Sequence, residues 1–371
     1  MSMILNDEQS MLRDSARSFL AENASVGQLR RLRDSHDATG YSRELWSRFA
    51  EMGYTGILIP EAQGGLGLGH VEAGIVMEEI GRHLSASPFF ASSIVAATAI
   101  RHADPTHALL GELAQGRRIA TLAVDERSKH APEYIELTAT QSHDGYRLDG
   151  AKTFVVDGHV ADVLIVAART SSSGITLFAA PRGTSGVGVE RVAMVDARNA
   201  ARVRFDHAIV PASAVLGAAG GGAAPLAIAL DAGRAAAAAE LVGIADEAFA
   251  RTVTYLKERR QFDKLIGEFQ ALQHRAATLY CDIELARAAL MKALRGLDTD
   301  PANASTAVSI AKARAGRSAT LAVQEGVQMH GGMGMTDEFE MGFFMKRARV
   351  LQELYGDANF HADRVARARG Y

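Results

Sequence analysis

Apolar residues recur at helical spacing at both ends of this chain and in a strand-like pattern through its middle. Met11, Leu12, Ala16 and Leu20 fall on one helical face, and Asn6 and Asp7 stand where a helix needs a cap. A second helix around Leu45 to Met52 should end at Gly53, a residue type that tolerates a left-handed stop. Beyond it Gly64, Gly65, Gly67 and Gly69 imitate a phosphate loop, but no Lys-Ser/Thr pair follows. Close backbone approach ahead of a helix beginning near Val71 is the expected use of these glycines.

From Arg118 the period changes. RIATLAVD, YIELTATQ, YRLDGAKTFVV, DVLIVAART, GITLFAAP and ARVRFDHAIV are short, β-branched and partly alternating. Asp144-Gly145 between two of them signals a hairpin. With no helical stretch among them, these strands predict a compact antiparallel barrel or sandwich. At GAAGGGAAP, Gly217 to Pro225, a flexible junction is expected. A long alanine-rich helix follows, then helices over Ala271 to Leu297 and Asn303 to Met329, whose alanines permit close packing in a four-helix bundle. The expected fold is α+β: an N-terminal helical bundle (1–115), a middle antiparallel β-barrel or sandwich (116–217) and a C-terminal four-helix bundle (218–371).

Composition narrows the function. A hydrophobic content of 48% with a net charge of −3 argues against disorder and against a nucleic-acid partner. No apolar run is long enough for a membrane span. The N-terminal MSMILNDEQSMLRDSARSF carries acids where a signal peptide would be basic, so a cytoplasmic location is expected. The single cysteine, Cys281, excludes an internal disulfide framework and is expected as a small apolar residue on a helix face. His330 has no second ligand at helical spacing, and no metal site is expected.

This order of segments, with LNDEQSMLRDSARSFLAE, LWSRFAEMGYTGILIPEAQGGLGLG and VMEEIGRHLSASP near the start, resembles the acyl-CoA dehydrogenases. The more specific signals are YLKERRQFDKLIGEFQALQHRAA and VQMHGGMGMTDEFEMGFFMKRA. The resemblance covers essentially the whole chain and implies bound FAD and desaturation of an acyl-CoA thioester. Arg259 is a permanently charged planar fork suited to a pyrophosphate. By resemblance it reaches the FAD of a neighbouring subunit, with Gln261, Phe262, Ile266 and Phe269 in the same cofactor stretch. Gln328, Gly331 and Gly332 match a second pyrophosphate contact, where missing side chains let backbone amides approach oxygen atoms. Phe154 and Val156, in KTFVVDG, match the segment lying against the flavin ring, and Gly356 matches a further cofactor position. The loop DERSKHAPE, Asp125 to Glu133, departs from the family's glycine-bearing loop, so some flavin or thioester contacts should be altered.

Desaturation removes an α-proton and a β-hydride together. The proton needs a base, in the family a glutamate whose apolar surroundings raise its pKa. The resemblance places that glutamate at Tyr355 or, alternatively, at Gly233, and both sites lack it. Asp231 lies three residues before Arg234 and can pair with it; the two together resemble residues that bind the CoA substrate. Glu240 lies two turns from Gly233 on the same face and, if turned inward, requires a function or a buried partner. Glu353 should pair with Arg349, and Asp357 should cap the last helix. Tyr355, with an ordinary pKa of ~10, is a poor base and could instead shape the pocket or donate a hydrogen bond.

The first reading is a working FAD-dependent acyl-CoA dehydrogenase with a base displaced to Glu240 or Asp231. The alternative is a catalytically incomplete subunit that completes the FAD and substrate sites of a heteromer. YGDANFH together with MHGGMGMTDE is similar to a sub-branch typified by the small subunit of pimeloyl-CoA dehydrogenase, where unlike subunits can combine. A third reading is another flavin reaction on acyl-CoA, such as oxygen-dependent oxidation. The implied partners are an acyl-CoA substrate, further copies in a homodimer or homotetramer or a homologous subunit, and electron-transfer flavoprotein as acceptor.

Overall fold

The computed structural model describes residues 4–170 and 174–371. By internal contact the chain divides into two compact units, Met1–Arg31 with Gly74–Ser85 and Arg234–Tyr371, and Leu32–Ala73 with Ala86–Gly233. The helices are α1 (Asp7–Asn23), α2 (Val26–Asp34), α3 (Arg43–Glu51), α4 (His70–His83), α5 (Ala97–Ala103), α6 (Leu109–Ala114), α7 (Ala223–Glu258), α8 (Gln270–Thr299), α9 (Ser305–His330), α10 (Met341–Glu353) and α11 (Ala358–Ala368).

The helical unit is built around α7 and α9. Asn6 caps α1 through a reciprocal box: its side chain accepts from Gln9 N at 2.8 Å while Gln9 Oε1 accepts from Asn6 N at 3.1 Å. Ala16 and Leu20 face inward as expected, whereas Met11 is exposed. Ala235 to Ala239 are all buried on α7. Gly81 of α4 and Gly243 of α7 bring these two helices together, for a Cβ on either would strike the opposite helix's backbone at Glu240 or Glu78. Ion pairs then tie the helices to one another: Arg17 to Glu79 at 2.7 Å, Arg82 to Asp246 at 2.6 Å and Arg287 to Asp246 at 2.7 Å. Cys281, expected to sit as a small apolar residue on a helix face, is exposed on α8.

The second unit carries the β-structure: β1 (Ala120–Ala123), β2 (Thr138–Ser142), β3 (Gly145–Val156), β4 (Val163–Thr170), β5 (Gly174–Pro181), β6 (Val187–Ala193), β7 (Asn199–Val210) and β8 (Val215–Leu216). They form one sheet in the order β6-β7-β3-β2-β4-β5-β8, with β1 on β4. The expected hairpin is present, Ser142 opposite Gly145. The sheet is open rather than a barrel, and it is not wholly antiparallel: β1 and β2 each run parallel to β4. The reason is visible in β4, where Val163 to Ala168 are all buried, the continuous apolar run typical of strands covered on both faces. The glycine loop is a tight turn: Gly64 has φ +79° and Gly65 has no room for a Cβ against Ile59. The junction expected to be flexible is instead tied to β5, with Gly220 N donating to Thr176 Oγ1 and Gly222 N to Ile175 O, each at 2.8 Å.

Candidate active site

Between α10 and α11 the chain makes a left-handed turn. Tyr355 has φ +56° and Gly356 φ +109°, and a Cβ on Gly356 would collide with the Phe360 ring. Tyr355 is buried. Its carbonyl accepts from Arg234 Nε of α7 at 3.0 Å, and the Arg234 guanidinium lies 5.5 Å from the Phe360 ring centroid. Asp357 caps α11, accepting from Asn359 N and Phe360 N, as its sequence position suggested. Glu353 pairs with Arg349 at 3.1 Å. Asp231 is buried on α7, one turn before Arg234.

Glu240 is also buried, and Arg347 of α10 accounts for it: Nε reaches Oε1 at 2.7 Å and Nη2 reaches Oε2 at 2.8 Å. Both carboxylate oxygens are held in a bidentate fork. A proton arriving at Glu240 would leave that guanidinium buried without its counter-charge. This weighs against Glu240 as the displaced base. Nothing in the local sequence marks Arg347, since the charged Lys346 and Arg349 beside it are both exposed.

After α7 a two-residue hairpin projects, β9 (Arg260–Gln261) pairing with β10 (Lys264–Leu265). Its tip residues, Phe262 and Asp263, have φ +54° and +61°. Such turns favour glycine and asparagine, so a phenylalanine there is held at a cost in strain. The tip is braced: the Phe262 and Phe269 rings meet edge-on at 6.2 Å, and Lys264 Nζ lies 4.2 Å above Phe269. Phe262 is nonetheless 86% exposed, as are Arg259 and Gln261 to a lesser degree, while Ile266 and Phe269 are half-buried. Nearby, Tyr255 stacks on His330 at 4.4 Å, joining the end of α7 to the end of α9, where exposed Gln328, Gly331 and Gly332 follow. His330 donates from Nδ1 to Gly326 O at 2.6 Å, and burial lowers its pKa, so the ring is neutral and structural. The stack thus joins the last turn of α7, from which the hairpin leaves, to the last turn of α9, from which the glycine turn leaves. Lys312 marks the Tyr355 turn on α9, eighteen residues before His330, about 27 Å away along the helix axis.

In the β-unit, the pairing of β3 with β7 slips between Lys152 and Val155, a bulge that turns Phe154 out at φ +50° with 44% exposure. Val156, two residues on, is half-buried. The DERSKHAPE loop packs beside this bulge. Thr153 N donates to Asp125 O at 2.7 Å, and His130 Nδ1 meets Asp125 Oδ1 at 2.8 Å. Buried Lys152 donates to Glu126 at 2.6 Å; burial lowers its pKa, and Glu126 opposes that shift. Of the nine non-glycine residues with positive φ among the described residues, Phe154, Phe262 and Tyr355 are all positions that the sequence had marked for cofactor or catalysis.

Residues 6–113 match the N-terminal domain of acyl-CoA dehydrogenases and residues 220–369 match the C-terminal domain. The chain is 31% identical over 349 residues to the acyl-CoA dehydrogenase IpdE2 of Mycobacterium tuberculosis, covering 94% of this chain and 93% of the relative. It belongs to the acyl-CoA dehydrogenase family. Among solved structures it is similar to the ChsE4–ChsE5 complex from Mycobacterium tuberculosis, with a TM-score of 0.90, 26% identity, and 100% and 99% of the two chains covered. It is also similar to a variant of the Tcur3481–Tcur3483 steroid ACAD, with a TM-score of 0.88, 29% identity, and 98% of each chain covered.

This acyl-CoA dehydrogenase is an FAD-dependent oxidoreductase. Its residues fit the cofactor's chemistry. The space around Cα of Gly331 and Gly332 is open, which lets a phosphate approach the backbone closely although the Gly331 N–H already donates to Gln328 O, and exposed Arg259 stands on the neighbouring helix end. No helix among the described residues is long and apolar enough to cross a membrane.

Proposed function

We propose that this chain desaturates an acyl-CoA thioester as one subunit of a heteromer, in which a homologous partner supplies the catalytic carboxylate. One observation carries the reading. The family's base positions hold Tyr355 and Gly233, and Glu240, one of two other buried carboxylates on α7, is occupied by Arg347. Two of the similar structures are of proteins named as pairs, ChsE4–ChsE5 and Tcur3481–Tcur3483, which supports a two-chain assembly.

FAD, when bound, would supply the hydride acceptor, with electron-transfer flavoprotein as the proposed oxidant. Arg259 and the open backbone at Gly332 would hold its pyrophosphate, and Phe154 and Val156 would lie against its flavin ring. Phe262 projects to a neighbouring chain. The separation of about 27 Å along α9 supports a shared arrangement: the pyrophosphate residues and the Tyr355 turn of one chain serve different sites. Asp231 and Arg234 orient the thioester, and Tyr355 lines the acyl pocket in place of a base.

A second reading rests on Asp231. It is a buried carboxylate on the face of α7 that bears Gly233's neighbour Arg234, so it could take the α-proton itself. Anaerobic mixing of the flavin-loaded chain with straight, branched and steroid-derived CoA thioesters separates the two. Bleaching near ~450 nm by the isolated chain supports Asp231. Bleaching only after a homologous subunit is added supports the heteromer.

A further inference from the structure

Lys312 has no part in the chemistry proposed so far, yet it is among the largest fully buried side chains. It rises from α9 within a stripe of small buried residues, Val308, Ala311, Ala315 and Ala319. Its Nζ donates to two carbonyls, Gln352 O at 3.2 Å and Gly356 O at 3.1 Å. These carbonyls bracket the turn that holds Tyr355. Gln352 lies in the last turn of α10, where carbonyls lack helical partners and the helix dipole is negative. Gly356 directly precedes the Asp357 cap of α11.

A methionine would fill the same space without burying charge, so apolar contact alone does not explain a lysine here. The turn itself is strained, with Tyr355 at φ +56°. A strained turn persists only when its surroundings over-determine it. Burial and the charge of Arg234 lower the pKa of Lys312 to about 7, while Glu353 and Asp357 oppose that shift.

We propose that Lys312 is a positioning residue for the acyl site, a clamp that joins the two ends of the Tyr355–Gly356 turn and fixes where Tyr355 meets the thioester. This rests on the reading of that turn as the acyl-facing one. The side chain acts through backbone carbonyls and does not touch substrate.

The test compares flavin-loaded wild type with Lys312→Met and Lys312→Gln. Two quantities are read: hydrogen exchange of the amides from Leu354 to His361, and the affinity of a CoA thioester that perturbs the wild-type flavin spectrum. In Lys312→Met, FAD content and protection of α7 and α9 should be kept. Exchange at Gly356 should accelerate by about tenfold. Thioester affinity should fall by about tenfold. Lys312→Gln, which keeps a donor, should fall between the two. Unchanged exchange at the turn overturns the clamp, and faster exchange with unchanged affinity shows a turn held without consequence for the thioester, which overturns the positioning role equally. If Lys312→Met loses FAD or global protection, Lys312→Gln decides by the same two readings. If no thioester perturbs the wild-type flavin, the assignment of the acyl site fails, whereas the exchange comparison still shows whether Lys312 holds the turn.

Discussion

Arg347 grips both oxygens of Glu240 across 107 positions of sequence, at 2.7 and 2.8 Å, in the core of the helical unit. Breaking such a pair from one side strands a buried charge. Glu240→Gln should therefore destabilise the protein by about 3 kcal/mol or more, read by chemical denaturation. Replacing both partners, as in Glu240→Leu with Arg347→Met, should cost less than Glu240→Gln alone. The rate of flavin reduction in folded Glu240→Gln should stay within a few-fold of wild type. A large loss of rate with stability intact would return Glu240 to the role of base.

Arg259→Ala should weaken FAD retention by about tenfold or more, because a charge-assisted contact to the pyrophosphate is lost. Phe262→Ala should disturb assembly while thermal unfolding of the single chain hardly moves, since the ring is 86% exposed. Gel filtration and the flavin-to-protein absorbance ratio read the two effects separately. Full FAD retention in Arg259→Ala would contradict the placement of the pyrophosphate.

Asp231→Asn discriminates between the heteromer and the self-sufficient enzyme. In the complete heteromer it should weaken thioester binding by about tenfold with the limiting reduction rate little changed. A fall in that rate by several orders of magnitude, with binding intact, would make Asp231 the base.

Lys312 gives a pH dependence of definite sign. Its folded pKa is lowered from 10.5 to about 7 by burial and Arg234, against the opposing charges of Glu353 and Asp357. Below about pH 7 both states carry the proton and the full cost of burying it is present. Between about 7 and 10.5 the unfolded chain binds the extra proton, so this cost is progressively lifted as pH rises. The stability of wild type relative to Lys312→Met should thus increase across that window. A difference flat in pH from 6 to ~10 would show that the lysine is not held near neutrality.

Features written in neighbouring residues were legible in the sequence: the Asn6 cap, the stop at Gly53, the Asp144-Gly145 hairpin and the Asp357 cap. Features that depend on distant partners were not. The parallel pairing of β1 with β4 leaves no local trace beyond a continuous apolar run. Strand β6 lies at the sheet edge with no fully buried residue, and its alternation, half-buried Val187 and Val189 between exposed Gly188 and Glu190, breaks at Arg191, which leaves only a short signal. The family motifs marked Arg259, Phe262 and Tyr355, and each has the exposure or backbone conformation of a special site. Lys312 could have been found as a cation set in a stripe of small buried residues on α9; its two carbonyl partners are main-chain atoms, which no residue pattern encodes.

The hairpin tip at Phe262 and Asp263 bears on how the chain meets a neighbour. A loop that became ordered only on contact would lose backbone and rotamer freedom at that moment, and binding would be weaker by that amount. Here the left-handed tip is set beforehand by Phe269 and Lys264, and its entropy is already lost in folding. On the proposed reading, in which Phe262 reaches a neighbouring chain, the ring would meet that chain as a rigid hook, and its shape, more than its flexibility, would select the surface it accepts.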